Sequence, residues 1–322
     1  MRRLLPAFAA VVIVATAAFA IHVRQGRAGD AAAEPVRVGT GPEPEAVLLA
    51  HVVVALLAAE DIPAEVVRFG HAQDARQAVE LGDVDVLPSY TGAVWLDTLG
   101  RSEPPREPQA SYDRVSAEDE RRNPVVWLPA TGVNATFAFA VLDVPGTDAW
   151  LEDVSDLRTV LSPEDGASPP RLCVDEDFAR RPDGLAEVFR LYVLRHVSFA
   201  EFVDEHVFAT PPEDAVLGVT RGACVAALTT TTDGRAWAEG LKTLGDSQQA
   251  FPAFVLAAVV GNHLPRSRPD VVVALAPFAL MEEEDLRAWN GQALQEPVAR
   301  VAEGAALVLR ERAGPGRPAP SG

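Results

Sequence analysis

Apolar positions recur in two rhythms along the chain, short runs with a period of two and longer runs with a helical period. The same order of runs occurs twice. In the first copy Val36 to Gly39 reads as a strand, Ala46 to Ala59 as a strongly apolar helix and Ala64 to Phe69 as a second, alternating strand. Asp74-Ala-Arg-Gln77 has capping-box form: the Asp74 carboxylate would accept from an orphan backbone N–H while Gln77 reaches back. The helix it predicts stops at Gly82. Val84 to Leu87 is a third strand, running into the loop Pro88-Ser89-Tyr90-Thr91-Gly92.

The second copy begins with a strand over Arg171 to Val174, a helix from about Asp183 to Arg195 and a strand over His206 to Ala209. Thr210-Pro-Pro-Glu213 is another capping-box pattern, with Pro211 at the first helical position, where its missing N–H costs nothing. Gly222 closes that helix, Cys224 to Leu228 is the third strand, and Thr229 to Gly234 is the loop. Each copy is a β-α-β-α-β unit, which predicts an α/β fold with a mostly parallel sheet flanked by helices in each of two lobes. Ligands of open α/β sheets bind at the carboxyl ends of the strands, so the loops beginning at Thr40, Ser89, Asp175 and Thr229 should face one another across a cleft. The apolar runs Asn134 to Leu142 and Phe251 to Val260 lie outside the copies and read as two crossing segments. Lobe 1 is then 36–136 with 256–312, and lobe 2 is 137–255. Asp143 to Pro170 leads into the second lobe, and the Gly/Pro-rich residues 313–322 read as a disordered tail.

The N-terminus changes this picture. Arg2 and Arg3 precede an uncharged apolar run from Leu4 to Ile21, and a polar stretch over 22–35 follows as a linker. An export signal, with Ala18-Phe19-Ala20 as its cleavage site, and a membrane anchor both fit 1–21. No cysteine lies near it, which excludes a lipid anchor on a processed N-terminal cysteine and predicts an extracytoplasmic protein that is secreted or held by its own N-terminal segment. Twenty-eight basic against forty-six acidic side chains leave a net charge of −18, which disfavours nucleic acid as a partner. The only cysteines are Cys173 and Cys224, and an exported pair can remain as buried thiols or form a disulfide. The strand positions place them near each other, each opening a strand of the second lobe.

Motifs for catalysis and cofactors are absent: there is no G-x-S-x-G, no G-x-x-x-x-G-K-[ST] and no H-E-x-x-H. Gly39-Thr40-Gly41 lacks the third glycine of a dinucleotide fingerprint, the histidines are scattered, and neither cysteine has the neighbours a metal site requires. Glu282-Glu283-Glu284-Asp285 reads as a solvated helix start. The chain is therefore expected to be no enzyme and to carry no cofactor or metal.

At Val36-Arg-Val-Gly-Thr40, Gly82 to Gly92, Val126 to Phe137 and Thr231-Thr-Asp-Gly-Arg235 the chain resembles the glycine betaine/choline-type substrate-binding proteins of osmoprotectant ABC transporters. The resemblance implies a type II periplasmic-binding-protein fold, two lobes joined by two crossing strands. It also implies a monomer that binds a small quaternary ammonium solute in an aromatic cage and delivers it to an ABC permease. Tyr90 falls on the first cage tyrosine, and Phe137 and Phe254 fall where the family has tyrosines on the crossing segments. Thr230 replaces a further cage tyrosine, Gly41, Ala46 and Ala135 replace polar positions, and Thr40 and Thr91 line the cleft loops. Arg181 could clamp a ligand carboxylate. The reduced cage keeps two alternatives open, a different small solute and a membrane-anchored sensory or scaffold ectodomain of the same fold.

Overall fold

The structure, a computed structural model, describes residues 34–142, 151–161, 169–181, 184–194 and 196–314. The chain divides into two units, Met1–Pro35 and Val36–Gly322, and every element named here lies in the second. The expected export segment 1–21 and nearly all of the linker and tail fall outside the described residues, as do most of 143–170 and Asp183 and Arg195 at the ends of one predicted helix.

Strand β1 (Val36–Thr40) leads into α1 (Pro44–Ala58), which starts on a proline. α1 is apolar on most of its faces because it is covered from both sides. Leu48, Leu49, Val52, Val53, Leu56 and Leu57 are all buried between the sheet and the C-terminal helices. Strand β2 (Ala64–Arg68) pairs parallel with β1, α2 (Ala72–Leu81) returns the chain, and Gly82 ends α2 in the left-handed region at φ 80°. Strand β3 (Val86–Tyr90) lies parallel on the other side of β1. A π-helical turn over Val94–Thr98, then α3 (Pro108–Arg122) and β4 (Val125–Trp127), complete the first run.

The chain crosses through β5 (Phe137–Leu142) into β6 (Leu172–Val174), α4 (Glu176–Arg180), α5 (Leu185–Tyr192), α6 (Phe199–His206), β7 (Val207–Ala209), α7 (Pro212–Thr220), β8 (Ala226–Thr230), α8 (Gly234–Ala238) and β9 (Leu241–Thr243). It returns through β10 (Leu256–Gly261) and ends in α9 (Glu283–Ala293) and α10 (Val298–Ala313). Among the described residues no helix is long and apolar enough to cross a membrane.

The two sheets have equivalent orders, β2-β1-β3-β10-β4 and β7-β6-β8-β5-β9. In each, the first strand is flanked by the second and third in parallel, and the crossing strand lies antiparallel beside the third. That register sets Leu256 opposite Tyr90 and Phe137 opposite Thr230, so each crossing strand meets a cleft loop. The two crossing segments are tied to each other where they pass. Asn134 Oδ1 accepts from the Phe254 N–H at 2.7 Å, and the Thr136 hydroxyl donates to the Pro252 carbonyl at 2.6 Å. In the second lobe Cys173 and Cys224 form a disulfide between β6 and the residues leading into β8, and no described cysteine is free.

Neither capping box forms. Helix α2 begins two residues before Asp74, with His71 at its N-cap and no side-chain cap. Helix α7 begins at Pro212, because the Thr210 N–H still donates to the Val174 carbonyl and holds Thr210 in the ladder, which makes Pro211 the N-cap. The single helix expected over 183–195 is α5 alone, ending at Val193 in the left-handed region, with α4 before it and α6 after it.

Candidate functional site

Because β1 and β3 run parallel, their carboxyl ends emerge at one edge of the sheet. With the start of α1, α2 and the π-helical turn they enclose a cavity of about 350 Å³. Its apolar wall includes Ala46, Leu49, Leu87 and Val94, and its polar groups are Thr40, Glu43, Glu45, Gln73, Arg76, Ser89, Tyr90, Asp97 and Thr98. Gly41 makes room for one of these: a Cβ there would lie 2.4 Å from a carboxylate oxygen of Glu43. The π-helical turn spends an extra residue and presents both Asp97 and Thr98 to the cavity.

Glu45 is the hub. It stands in the first turn of α1, where the helix dipole favours a carboxylate. One of its oxygens accepts from the Tyr90 hydroxyl and the other from Asn290 Nδ2 at 2.6 Å. Burial, and then the Glu45 charge and hydrogen bond, push the Tyr90 phenol well above its usual pKa of 10.0, so Tyr90 remains a neutral donor. The one basic group on the cavity wall, Arg76, is already engaged. Its guanidinium donates to both oxygens of the buried Asp119 at 2.9 and 2.7 Å and to Glu80 at 2.7 Å. Three carboxylates against one neutralised guanidinium give the cavity a negative potential that suits a cation. Among the described residues no three His, Cys, Asp or Glu side chains are grouped to hold a metal ion.

The residues singled out in the sequence fall into three places. Thr40 and Tyr90 line the cavity, Thr40 with its hydroxyl turned to the Gly41 carbonyl at 3.1 Å. Phe137, Thr230 and Arg181 lie together in the second lobe. Phe137 pairs with Thr230 across the strands, its ring centroid stands 5.1 Å from that of Phe178 and 6.3 Å from that of Phe251, and the Arg181 guanidinium lies 5.8 Å over its face. Arg181 is equally stacked on Phe178, at 5.6 Å. The crossover holds the remaining two. Phe254 rests on Gly92, where a Cβ would come within 2.7 Å of the ring, and Thr91 is fully buried. The Thr91 hydroxyl oxygen accepts from the Val255 N–H at 3.0 Å and from Ser111 Oγ at 2.9 Å, which anchors the end of β3 to the crossing segment.

Sequence reasoning passed over Glu43, Glu45, Arg76, Asp97 and Asn290. The two glutamates had a usable signal, since they open a helix directly after the Thr-Gly at a strand's carboxyl end. Asn290 had none, because it reaches Glu45 from 245 residues away.

The family described as the substrate-binding domain of the ABC-type glycine betaine transport system matches residues 34–305. The chain is similar to a glycine-betaine-binding protein of Pseudomonas aeruginosa, 28% identical over 269 residues that cover 82% of this chain and 84% of that one. It is also similar to the glycine betaine-binding protein YehZ of Escherichia coli, 26% identical over 277 residues, with 80% and 85% covered. Among solved structures, apo YehZ of Escherichia coli superimposes with a TM-score of 0.74 at 24% identity, covering 87% of this chain and 99% of that chain. A glycine betaine/carnitine/choline ABC transporter structure gives 0.73 at 22%, covering 85% and 98%. The two likenesses make the fold a type II periplasmic-binding fold.

Proposed function

Because the chain belongs to the family of substrate-binding domains of ABC-type glycine betaine transport systems, we propose that it works outside the cytoplasm and takes a quaternary ammonium solute, glycine betaine- or choline-like, at Tyr90. The observation that carries this reading is the Tyr90–Glu45 pair on the wall of an acidic cavity. A trimethylammonium group has no hydrogen-bond donor, so it is held by aromatic faces and by uncompensated negative charge, and a cation–π contact is worth about 0.5–2 kcal/mol. Phe137 and Phe254, which lie off the wall of this cavity, complete a reduced cage as the lobes close on the solute, with Thr230 in place of a further ring. Arg181 meets a carboxylate when the solute carries one. The names of the two bacterial relatives, both glycine betaine-binding proteins, point the same way.

The protein acts as a monomer, closes its lobes about the crossing segments and hands the solute to an ABC permease, with no chemical step. The N-terminal segment exports it or holds it at the membrane. A second reading, a plain organic cation without a carboxylate, is favoured by the surplus of acidic groups and by the prior engagement of Arg76.

Calorimetric titration with choline, glycine betaine, carnitine and uncharged solutes tests both. Micromolar binding of a quaternary ammonium compound, weakened about tenfold by Tyr90→Ala, is the expected result. Silence of the folded protein towards every cation would overturn the proposal, and unchanged affinity in Tyr90→Ala would remove Tyr90 from the site. Choline bound tightly with glycine betaine ignored would select the second reading.

A further inference from the structure

Helix α9 has two working faces. Leu286 and Trp289 are buried in the first-lobe core with α1 and α10. Glu283, Arg287, Asn290 and Gly291 follow an i, i+4, i+7, i+8 spacing along another side of the helix. Each of them meets the second lobe or the crossover. Glu283 stands beside the Thr231 hydroxyl and the Asn134 backbone. Arg287 Nη1 donates to Thr243 Oγ1 at 2.8 Å, and Asn290 Nδ2 donates to the Thr232 carbonyl at 2.9 Å. Gly291 faces α8, where a Cβ would lie 2.2 Å from the Trp237 ring, and a Cβ on Gly234 would lie 2.3 Å from the backbone of Asn290 and Gly291. Two helices from different lobes thus meet backbone to backbone, an approach that needs glycine on both sides.

Asn290 differs from the rest of this face because its amide serves both lobes. Nδ2 donates to the Thr232 carbonyl on one side and to Glu45 Oε2, on the cavity wall, on the other. The second Glu45 oxygen holds the Tyr90 hydroxyl. The chain of contacts from Thr232 through Asn290 and Glu45 to Tyr90 therefore joins the second lobe to the ligand cavity without a gap. An amide is suited to this place: it donates twice and brings no charge of its own beside Glu45.

We propose that Asn290 is a positioning residue that fixes Glu45, and through it Tyr90, while clasping the loop at Thr232, so that the state of the cavity and the apposition of the lobes are linked. Linkage of this kind is reciprocal: a solute that engages Glu45 and Tyr90 in their clasped orientation also favours the docked lobes. For its ligand arm the inference rests on the quaternary ammonium reading, but its lobe arm does not.

The test uses the full chain in two arms. Without ligand, small-angle scattering of wild type and Asn290→Ala compares the separation of the lobes. A larger radius of gyration in the variant is expected, and an unchanged one overturns the clasp whatever the protein binds. With choline and glycine betaine as probes, Asn290→Ala is expected to weaken binding about tenfold in the native background and hardly at all in a Glu45→Ala background. Additive losses would mean that Asn290 does not act through Glu45 and would overturn its positioning role. If wild type binds neither probe, the ligand reading fails and the scattering arm alone decides. Asn290→Asp covers the case in which the alanine variant does not fold. It places a carboxylate, which can donate to neither partner, beside Glu45 and the Thr232 carbonyl, so its lobes should part at neutral pH, and lobes that stay docked there would overturn the clasp.

Discussion

A methyl group built on Gly218 would lie 2.4 Å from the sulfur of Cys173, because α7 runs directly over the disulfide between Cys173 and Cys224. The glycine is needed for that approach and not for its backbone angles. Gly218→Ala should therefore overpack the contact and destabilise the second lobe by about 1–3 kcal/mol. For a domain of this size each kcal/mol lowers Tm by about 2–4 °C. Thermal unfolding under oxidising and reducing conditions checks it: the loss should shrink on reduction, when the Cys173 sulfur can turn away. An equal loss in both would place the strain elsewhere.

The same disulfide closes a loop with a sequence separation of 51. Chain-entropy arithmetic for such a loop gives about 4 kcal/mol, and native-state relaxation usually reduces the measured value to about 2–4 kcal/mol. The paired replacement Cys173→Ser with Cys224→Ser should lower stability by that amount in denaturant titration. Solute affinity should be unchanged, because the Cys224 end of the bridge precedes β8, at the edge of the sheet away from the cleft loops. A variant as stable as wild type would mean that the bridge does not constrain the unfolded chain.

The buried pair of Arg76 and Asp119 predicts a coupled effect. Asp119 is fully buried and accepts from both Arg76 nitrogens, from Asn123 Nδ2 at 2.7 Å and from Trp127 Nε1 at 2.7 Å. Removing one partner of a buried pair leaves the other uncompensated, which costs about 3–5 kcal/mol. Asp119→Ala should show that loss in chemical unfolding. It should also weaken cation binding, because Arg76 on the cavity wall is then balanced by Glu80 alone. Calorimetry at a temperature where the variant is folded separates the two effects, and full affinity in the variant would take Arg76 out of the electrostatics of the site.

The doubled order of strands and helices was legible because a period of two and a helical period are local properties, and Gly82 and Gly222 mark the turns where the chain takes up left-handed angles. The position of Tyr90 followed from the same pattern, since it stands at the carboxyl end of a third strand. The helix starts were less legible. Asp74 and Thr210 had the composition of caps, but the chain path into each helix, set by the ladder at Thr210 and the turn at His71, decided which residue stood at the end. The Glu45–Asn290 contact was not legible at all, and neither was the stacking of Arg181 on Phe137 and Phe178. Such contacts depend on how helices and lobes dock, a property of the whole fold. The carboxylate run at the start of α9 shows the same limit. It is the helix start the sequence predicts, with Glu282 and Glu284 exposed, but it also pairs Asp285 with Arg312 and sends Glu283 to the crossover.

That last placement predicts the sign of a pH dependence. Burial raises the pKa of Glu283 above the usual 4.5, against the opposing pull of the Thr231 hydroxyl, the Arg287 charge and the Asn134 backbone, with Glu284 adding to the rise. A carboxyl with a raised pKa in the folded state binds its proton more tightly folded than unfolded. Its contribution to stability is full below the unfolded value near 4.5 and is lost as pH rises through the folded value. Glu283→Gln keeps the shape and the hydrogen-bonding capacity and stays neutral throughout, so the variant should gain Tm over wild type at pH 7 to 8 and match it near pH 4. Thermal scans of both proteins across that range decide the matter. A variant less stable than wild type at neutral pH would mean that the Glu283 charge, held by Arg287 and Thr231, stabilises the crossover rather than burdening it.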